Sequence, residues 1–196
     1  MISVKDVTAC LVTRGDQPEM MERILRSLIF DDVIVWDNSV DEDRKVAGRY
    51  WPLRDGFTRP VVYFQDDDVL VPQKTQKKLM QSYMPGVMIA NYGHGENPDG
   101  YDDLPLVHGG AIVDQDLPWI GLNRYLEHFP MDDGFFYEAD FIAGVLYPDF
   151  RHLYLPHEIN MPVAQHPSRL CNQPWQKELK LKITNQARQV RDMVVA

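Results

Sequence analysis

Apolar residues follow two rhythms along this chain: short unbroken runs, and stretches where they recur every three or four positions. Val7 to Thr13 is unbroken, β-rich and bounded by Arg14-Gly15-Asp16, which predicts a buried strand. A helix then starts near Asp16 or Pro18. Met20, Met21, Ile24, Leu25 and Leu28 fall at helical spacing, and Pro18 suits a first turn. Val33 to Trp36 predicts a second strand, ending in Asp37-Asn38-Ser39. Strand, helix and strand in this order form a βαβ unit and predict a parallel sheet, hence an α/β fold. Asp41 to Tyr50 is polar and suits a short helix, and Pro60 to Phe64 is a third strand ending at Gln65-Asp66-Asp67-Asp68. Val71 to Tyr83 predicts a helix with Lys74, Lys77 and Lys78 outward, and Val87 to Ala90 a fourth strand.

From Asn91 to Pro105 the chain is rich in Gly, Asn, Asp and Pro and reads as a long loop. Leu106 to Val113 predicts a strand interrupted by Gly109-Gly110, and Leu117 to Phe129 a helix. The apolar run Phe141 to Tyr147 continues a helix that begins at Glu138. Leu179, Ile183, Ala187, Val190 and Val194 make one stripe of a C-terminal helix over about 175–194. No repeat or linker interrupts the pattern, so one domain over 1–196 is expected.

Composition narrows the class. With 196 residues, 44% hydrophobic and 25% charged, the chain can bury a sizeable core. No apolar run approaches the ~18–20 residues of a membrane span. Met1 to Asp6 has no signal-peptide core, so a cytoplasmic protein is expected. Cys10 sits in an apolar run and Cys171 far away, which does not indicate a disulfide framework. The net charge of −9 argues against nucleic-acid binding, which needs basic surface. It leaves room for an anionic nucleotide held through a cation. Lys177, Lys180, Lys182, Arg188 and Arg191 read as a solvated helix face; a membrane-surface or subunit contact, and hence an oligomer, stays open.

Three aspartates in a row at a strand end repel one another and need positive charge nearby. In an open α/β sheet, ligands bind at the carboxyl ends of strands. Residues 66 and 68 would leave one face of an extended chain and residue 67 the other. Asp66 and Asp68 could then share Mg²⁺ or Mn²⁺, hard cations that suit oxygen ligands and phosphates. A solvated acidic turn is the alternative. Thr13 and Arg14, and Asp37-Asn38-Ser39, end the first two strands, where a turn or cap competes with contacts to a nucleotide. Gly109-Gly110 fits a close backbone approach to a ligand or a β-bulge, with His108 beside it. Trp119, Tyr92, Tyr101 and Trp175 fit sugar stacking or core packing.

Val12-Thr13-Arg14-Gly15-Asp16, Val35-Trp36-Asp37-Asn38-Ser39 and Phe64-Gln65-Asp66-Asp67-Asp68 together resemble the strand ends of GT-A-fold glycosyltransferases. Phe129-Pro130-Met131-Asp132-Asp133-Gly134-Phe135-Phe136-Tyr137-Glu138-Ala139-Asp140 is similar to the F-D-E-x-F-F-x-x-E-D-x-D segment of rhamnosyltransferase-like members. Val163-Ala164-Gln165-His166-Pro167-Ser168 is similar to their V-x-H-x-x-S segment. The resemblance implies a Rossmann-like three-layer α/β/α fold with a mostly parallel sheet. It implies transfer of a sugar from a UDP-, GDP- or dTDP-linked donor to an acceptor hydroxyl that the sequence does not identify. Asp68 and Asp66, with His166, would hold Mn²⁺ or Mg²⁺. Thr13, Arg14, Asp37, Asn38, Ser39, Asp66, Asp67, Gly109 and Gly110 would line the donor. The family's adjacent Glu-Asp pair is Glu138-Ala139-Asp140 here, so the base falls to Asp140, with Glu138 and Asp133 as alternatives; His157 is a further site candidate. Two rivals remain: a nucleotidyltransferase, for which Thr13 to Asp16 makes a poor phosphate loop, and a non-catalytic carbohydrate or nucleotide-sugar binder.

Overall fold

A strand that is apolar on both faces needs cover on both sides, and the computed structural model, which describes residues 2–56, 58–91, 104–105, 107–147, 149–159 and 169–195, supplies it. Strand β1 (Val7–Thr13) is buried at every position. It pairs in parallel with β2 (Asp32–Asp37) and β3 (Val61–Phe64). Helix α1 (Pro18–Ser27) makes the first crossover and carries Pro18 in its first turn, where the missing N–H costs nothing.

The sheet order is β2-β1-β3-β6-β5-β7, with β5 (Met88–Asn91), β6 (Ala111–Asp114) and β7 (Phe150–Leu153). Only β6 runs against its neighbours. The carboxyl ends of the other five strands therefore lie along one edge. A two-stranded ribbon joins β4 (Val69–Leu70) to β8 (Glu158–Ile159).

Period-two alternation divides the core between the two faces. Val7, Ala9, Val61, Tyr63, Ile89 and Ile112 pack with Leu79 of α3 (Gln73–Ser82), while Leu11 meets Met20, Met21 and Ile24 of α1. Cys10, Val62, Phe64, Met88, Ala90, Ala111 and Val113 face the other way. They are covered by α2 (Trp51–Arg54), α4 (Leu117–Leu126), α6 (Ala139–Leu146) and α7 (Gln176–Val195). The fold is thus a three-layer α/β/α sandwich on a mostly parallel sheet, as expected. Cys10 is a buried free thiol in that core.

Several boundaries differ from expectation. The segment after Asp41 is irregular until a 3-10 helix at Lys45–Tyr50, which runs straight into α2. Helix α5 (Asp133–Tyr137) has no counterpart among the expected elements; Asp132 caps it by accepting from the Phe135 N–H at 3.1 Å. The strand expected from Leu106 begins only at Ala111. Gly110 has φ of +99°, and a turn closed by its N–H on the Val107 carbonyl at 3.0 Å precedes the strand. The glycine pair thus serves a turn and not a β-bulge. Most of the expected 91–105 loop, with Tyr92 and Tyr101, lies outside the described residues. Among the described residues no helix is long and apolar enough to cross a membrane.

Candidate active site

Strand β3 stops at Phe64 and gives way to a turn. The Asp66 N–H donates to the His108 carbonyl at 3.3 Å, and the Val69 N–H returns to the Asp66 carbonyl at 3.4 Å. Gln65 is buried inside the turn, accepting from the Tyr63 hydroxyl and donating to the Val69 carbonyl, both at 2.8 Å. Extended-chain alternation therefore ends before the aspartates, and the expected grouping changes. Asp66 accepts from Arg49 Nη2 at 2.6 Å. Asp67 and Asp68 share one donor, Arg169 Nη2, at 2.8 and 2.9 Å. Asp67 does not point away from the other two as an isolated loop residue; it is buried in the same charge cluster.

Arg49 lies in the 3-10 helix and is 3% exposed. The same Nη2 is 3.7 Å from Asp140 Oδ2, while Asp140 Oδ1 accepts from the Tyr50 hydroxyl at 2.6 Å. One short helix thus holds both the triplet and the first turn of α6. Among the described residues four carboxylates (Asp66, Asp67, Asp68 and Asp140) meet two guanidiniums, two more negative charges than positive. The surplus appears in the proton affinities. Burial, followed by the Asp66 charge, pushes Asp68 up to about 6 despite Arg169. Burial pushes Asp140 up to about 6, against the pull of Arg49. Asp66 is held below the usual carboxylate range: burial would raise it, but Arg49 and neighbouring positive groups prevail. His108 is lowered by burial and so stays neutral near pH 7.

The other strand ends are built mainly from mutual contacts. The Asn38 N–H donates to the Thr13 carbonyl at 2.9 Å, and Thr13 Oγ1 accepts from the Gly15 N–H at 3.1 Å. Gly15 has φ of +76°, and a Cβ there would lie 2.8 Å from Asp37 Oδ1, so only glycine lets these two loops close up. Asp37 caps its own turn through the Ser39 N–H at 2.9 Å. Asn38 ties the following loop down, accepting from the Arg44 N–H at 2.9 Å and donating to the Lys45 carbonyl at 3.0 Å. Arg14 pairs with Asp16 beside them. Gly109 fits tightly against its own chain: a Cβ would meet the Asn91 carbonyl at 2.5 Å. His108 and His157 stack edge to face at 5.7 Å next to it.

The remaining acids separate. Asp133 is exposed on α5, opposite Lys45. Glu138 is 1% exposed and turned toward α7, accepting from Gln176 Nε2 at 3.0 Å. Trp119 is core, its indole N–H bonded to the Tyr50 carbonyl at 2.5 Å, whereas Trp175 is 42% exposed and packs edge to face on Tyr137. His166 lies outside the described residues. Arg49, Tyr50 and Arg169 join the site without having been expected there. An arginine inside Ala47-Gly48-Arg49-Tyr50-Trp51 is a charge in apolar surroundings and calls for a buried acid. Arg169 reaches Asp67 across 102 positions, and no local pattern marks it.

Among the described residues the donor set at Asp66 and Asp68 is hard oxygen and carries surplus negative charge, while Asp67, whose buried Oδ2 has no hydrogen-bond partner, is held by Arg169. Those features fit a divalent cation. Among the described residues no group of three or more His, Cys, Asp or Glu is placed so that it could hold a metal ion by itself. A cation of the Mg²⁺ kind needs only one or two carboxylates when substrate phosphates complete its shell. No protein-family profile matches the sequence, and no curated protein matches it. Among solved structures, the chain is similar to a glycosyltransferase involved in the glycosylation of the major capsid of PBCV-1. The TM-score is 0.43 and the identity 12%, over 76% of this chain and 81% of that one. A likeness that distant carries no argument about activity.

Proposed function

We propose that the chain is a glycosyltransferase that moves a sugar from a nucleoside-diphosphate sugar to an acceptor hydroxyl. The observation that carries this reading is the placement of Asp140. It is a half-buried carboxylate with proton affinity raised to about 6, and it shares Arg49 with the aspartate triplet at the carboxyl edge of a mostly parallel sheet. A general base works best with a pKa near the working pH, and Asp140 is set between the ordinary carboxylate and neutrality.

The roles divide accordingly. Asp68, with Asp66 beside it, would hold Mn²⁺ or Mg²⁺. Bound there, the cation supplies positive charge against the departing diphosphate. Asp140 Oδ1 is occupied by Tyr50, which leaves Oδ2 to take the acceptor's proton as its oxygen bonds the anomeric carbon and the bond to the diphosphate oxygen breaks. Arg49 keeps Asp140 ionised and Asp66 in place. Thr13, Gly15, Asp37 and Ser39 form the adjoining edge, where the nucleoside end of the donor would lie. His166 remains a proposed additional ligand.

A thermal-shift screen of UDP-, GDP- and dTDP-sugars with and without Mn²⁺ tests the reading. At a hundred times the dissociation constant the correct donor should stabilise by about 2.7 kcal/mol. That gain should require Mn²⁺ and vanish in Asp68→Ala. Stabilisation by none of the donors, or an unchanged response in Asp68→Ala, would sink it.

A further inference from the structure

Arg169 is placed as a cation would be placed. Its Nη2 sits between Asp67 Oδ1 at 2.8 Å and Asp68 Oδ2 at 2.9 Å, and the residue is 9% exposed. Its backbone is fixed. The carbonyl accepts from the Asn172 N–H and from Gln173 Nε2, both at 3.1 Å, at the head of the turn that leads into α7. The side chain is therefore aimed at the triplet by the C-terminal part of the chain.

We propose that Arg169 is an internal counter-ion standing in for a divalent cation at Asp68, so that the cation loads only by displacing it. This rests on the cation site of the proposed function and adds a regulation of that site. The two acids differ in a way that fixes which is surrendered. Asp68 has the more open side chain, at 17% against 9% for Asp67. Asp67 Oδ2 is buried with no hydrogen-bond partner, so Asp67 keeps a need for positive charge that Arg169 serves. The cation arrives at Asp68 while Arg169 stays on Asp67.

The Nη2 donor released from Asp68 cannot remain bare. Arg49 is already committed to Asp66 and Asp140, so Arg169 needs a new anion. A diphosphate beside the cation is such an anion, and guanidinium pairs with phosphate in a planar fork. Cation and donor then assist one another, because linkage is reciprocal.

Calorimetric titration of MnCl₂ alone, with the Mn²⁺-induced melting shift as second readout, tests this on wild type, Arg169→Gln and the double variant Arg169→Gln/Asp68→Asn. Losing a charge-assisted competitor should tighten Mn²⁺ binding about tenfold in Arg169→Gln. The melting shift should grow with it, and the double variant should lose the gain. Equal affinity in wild type and Arg169→Gln, or weaker binding in the variant, overturns the proposal. If neither binds Mn²⁺ alone, the proposal also falls. The glycosyltransferase reading survives that result provided wild type is still stabilised by a nucleotide-sugar with Mn²⁺. Should Arg169→Gln fail to fold, Arg169→Lys decides. The lysine ammonium ends one atom short of Nη2 and so holds the two carboxylates less tightly; Mn²⁺ affinity should rise several-fold, and no rise is the contrary result.

Discussion

Asp140 and Glu138 begin the same helix two residues apart, Glu138 buried and Asp140 half-buried, and burial raises the proton affinity of both. Their surroundings differ. Asp140 faces a charged cluster: Arg49 at 3.7 Å, the Tyr50 hydroxyl at 2.6 Å and the field of Asp66. Glu138 faces Gln176 of α7 and the nearby Lys180, whose ammonium lies 4.5 Å over the Phe141 ring. Its affinity rises further, to about 7. The size of the shift would therefore select Glu138 as the functional acid. In the proposed function the neighbours select Asp140, because of the two it is the one in a cluster with surplus negative charge at a strand edge. A perturbed carboxylate becomes a site through what it faces, and otherwise serves as a strut between helices.

The largest test of that distinction is Asp140→Asn. Loss of a general base should lower kcat by about 10²–10⁴-fold while calorimetry finds donor affinity unchanged. Glu138→Gln should keep kcat within a few-fold. The reverse ranking would exchange the two roles. In wild type, kcat/KM should fall as pH drops through about 6, because the base must be ionised and its affinity stands near 6.

Arg49→Met comes next. It strips the shared counter-ion from the half-buried Asp66 and Asp140; full burial would make this cost about 3–5 kcal/mol, and their partial exposure lowers it. Urea unfolding at pH 7 should show that loss, and it should shrink toward pH 5 as the carboxylates protonate. An Arg49→Met protein as stable as wild type would mean that solvent, not Arg49, balances the cluster.

Much of the scaffold is legible in the sequence because its signals are local. The unbroken runs at Val7 to Thr13 and Val33 to Trp36 correspond to strands β1 and β2, and the stripe from Met20 to α1. The triplet is legible as a place where charge gathers. Its internal grouping is not. Pairing Asp66 with Arg49 and Asp67 with Arg169 depends on where β3 ends and on a contact spanning 102 positions. Gly110 misleads in the same way, since a left-handed turn and an interrupted strand look alike in sequence. Asp37-Asn38-Ser39 suits a turn and a nucleotide contact alike. The hydrogen bonds of Asp37 and Asn38 establish the turn, and contact with a nucleotide remains an expectation of the proposed function.

Glu138→Gln tests the strut directly. The folded affinity of Glu138, about 7, stands above the ordinary 4.5, so the folded state binds more protons than the unfolded between those values. Its contribution is fully present below pH 4.5 and is lost as pH rises through about 7. The loss is bounded at about 3 kcal/mol. Gln keeps the bond to Gln176 without the charge. Unfolding of Glu138→Gln should thus depend less on pH across this window, and the variant should melt higher at pH 8. A variant that melts lower at pH 8 would show that the Glu138 charge, with Lys180, stabilises the helix pair.

Tyr50→Phe is the smallest change and separates packing from tuning at Asp140. The ring is 1% exposed and packs against Phe64 at 5.1 Å, so Phe keeps the shape. Only the hydroxyl bond to Asp140 is removed, a hydrogen bond to a charged group worth about 1.5–3 kcal/mol. That bond favours the ionised carboxylate, so its loss should raise the proton affinity of Asp140 above about 6. The acid limb of kcat/KM should move to higher pH, with little loss of rate on the alkaline side. A strut would behave otherwise: at Glu138 no substitution of a neighbour should move the acid limb, whatever it does to stability. An unmoved limb in Tyr50→Phe would place Asp140 in the same class as Glu138, and the search for the base would pass to Asp133.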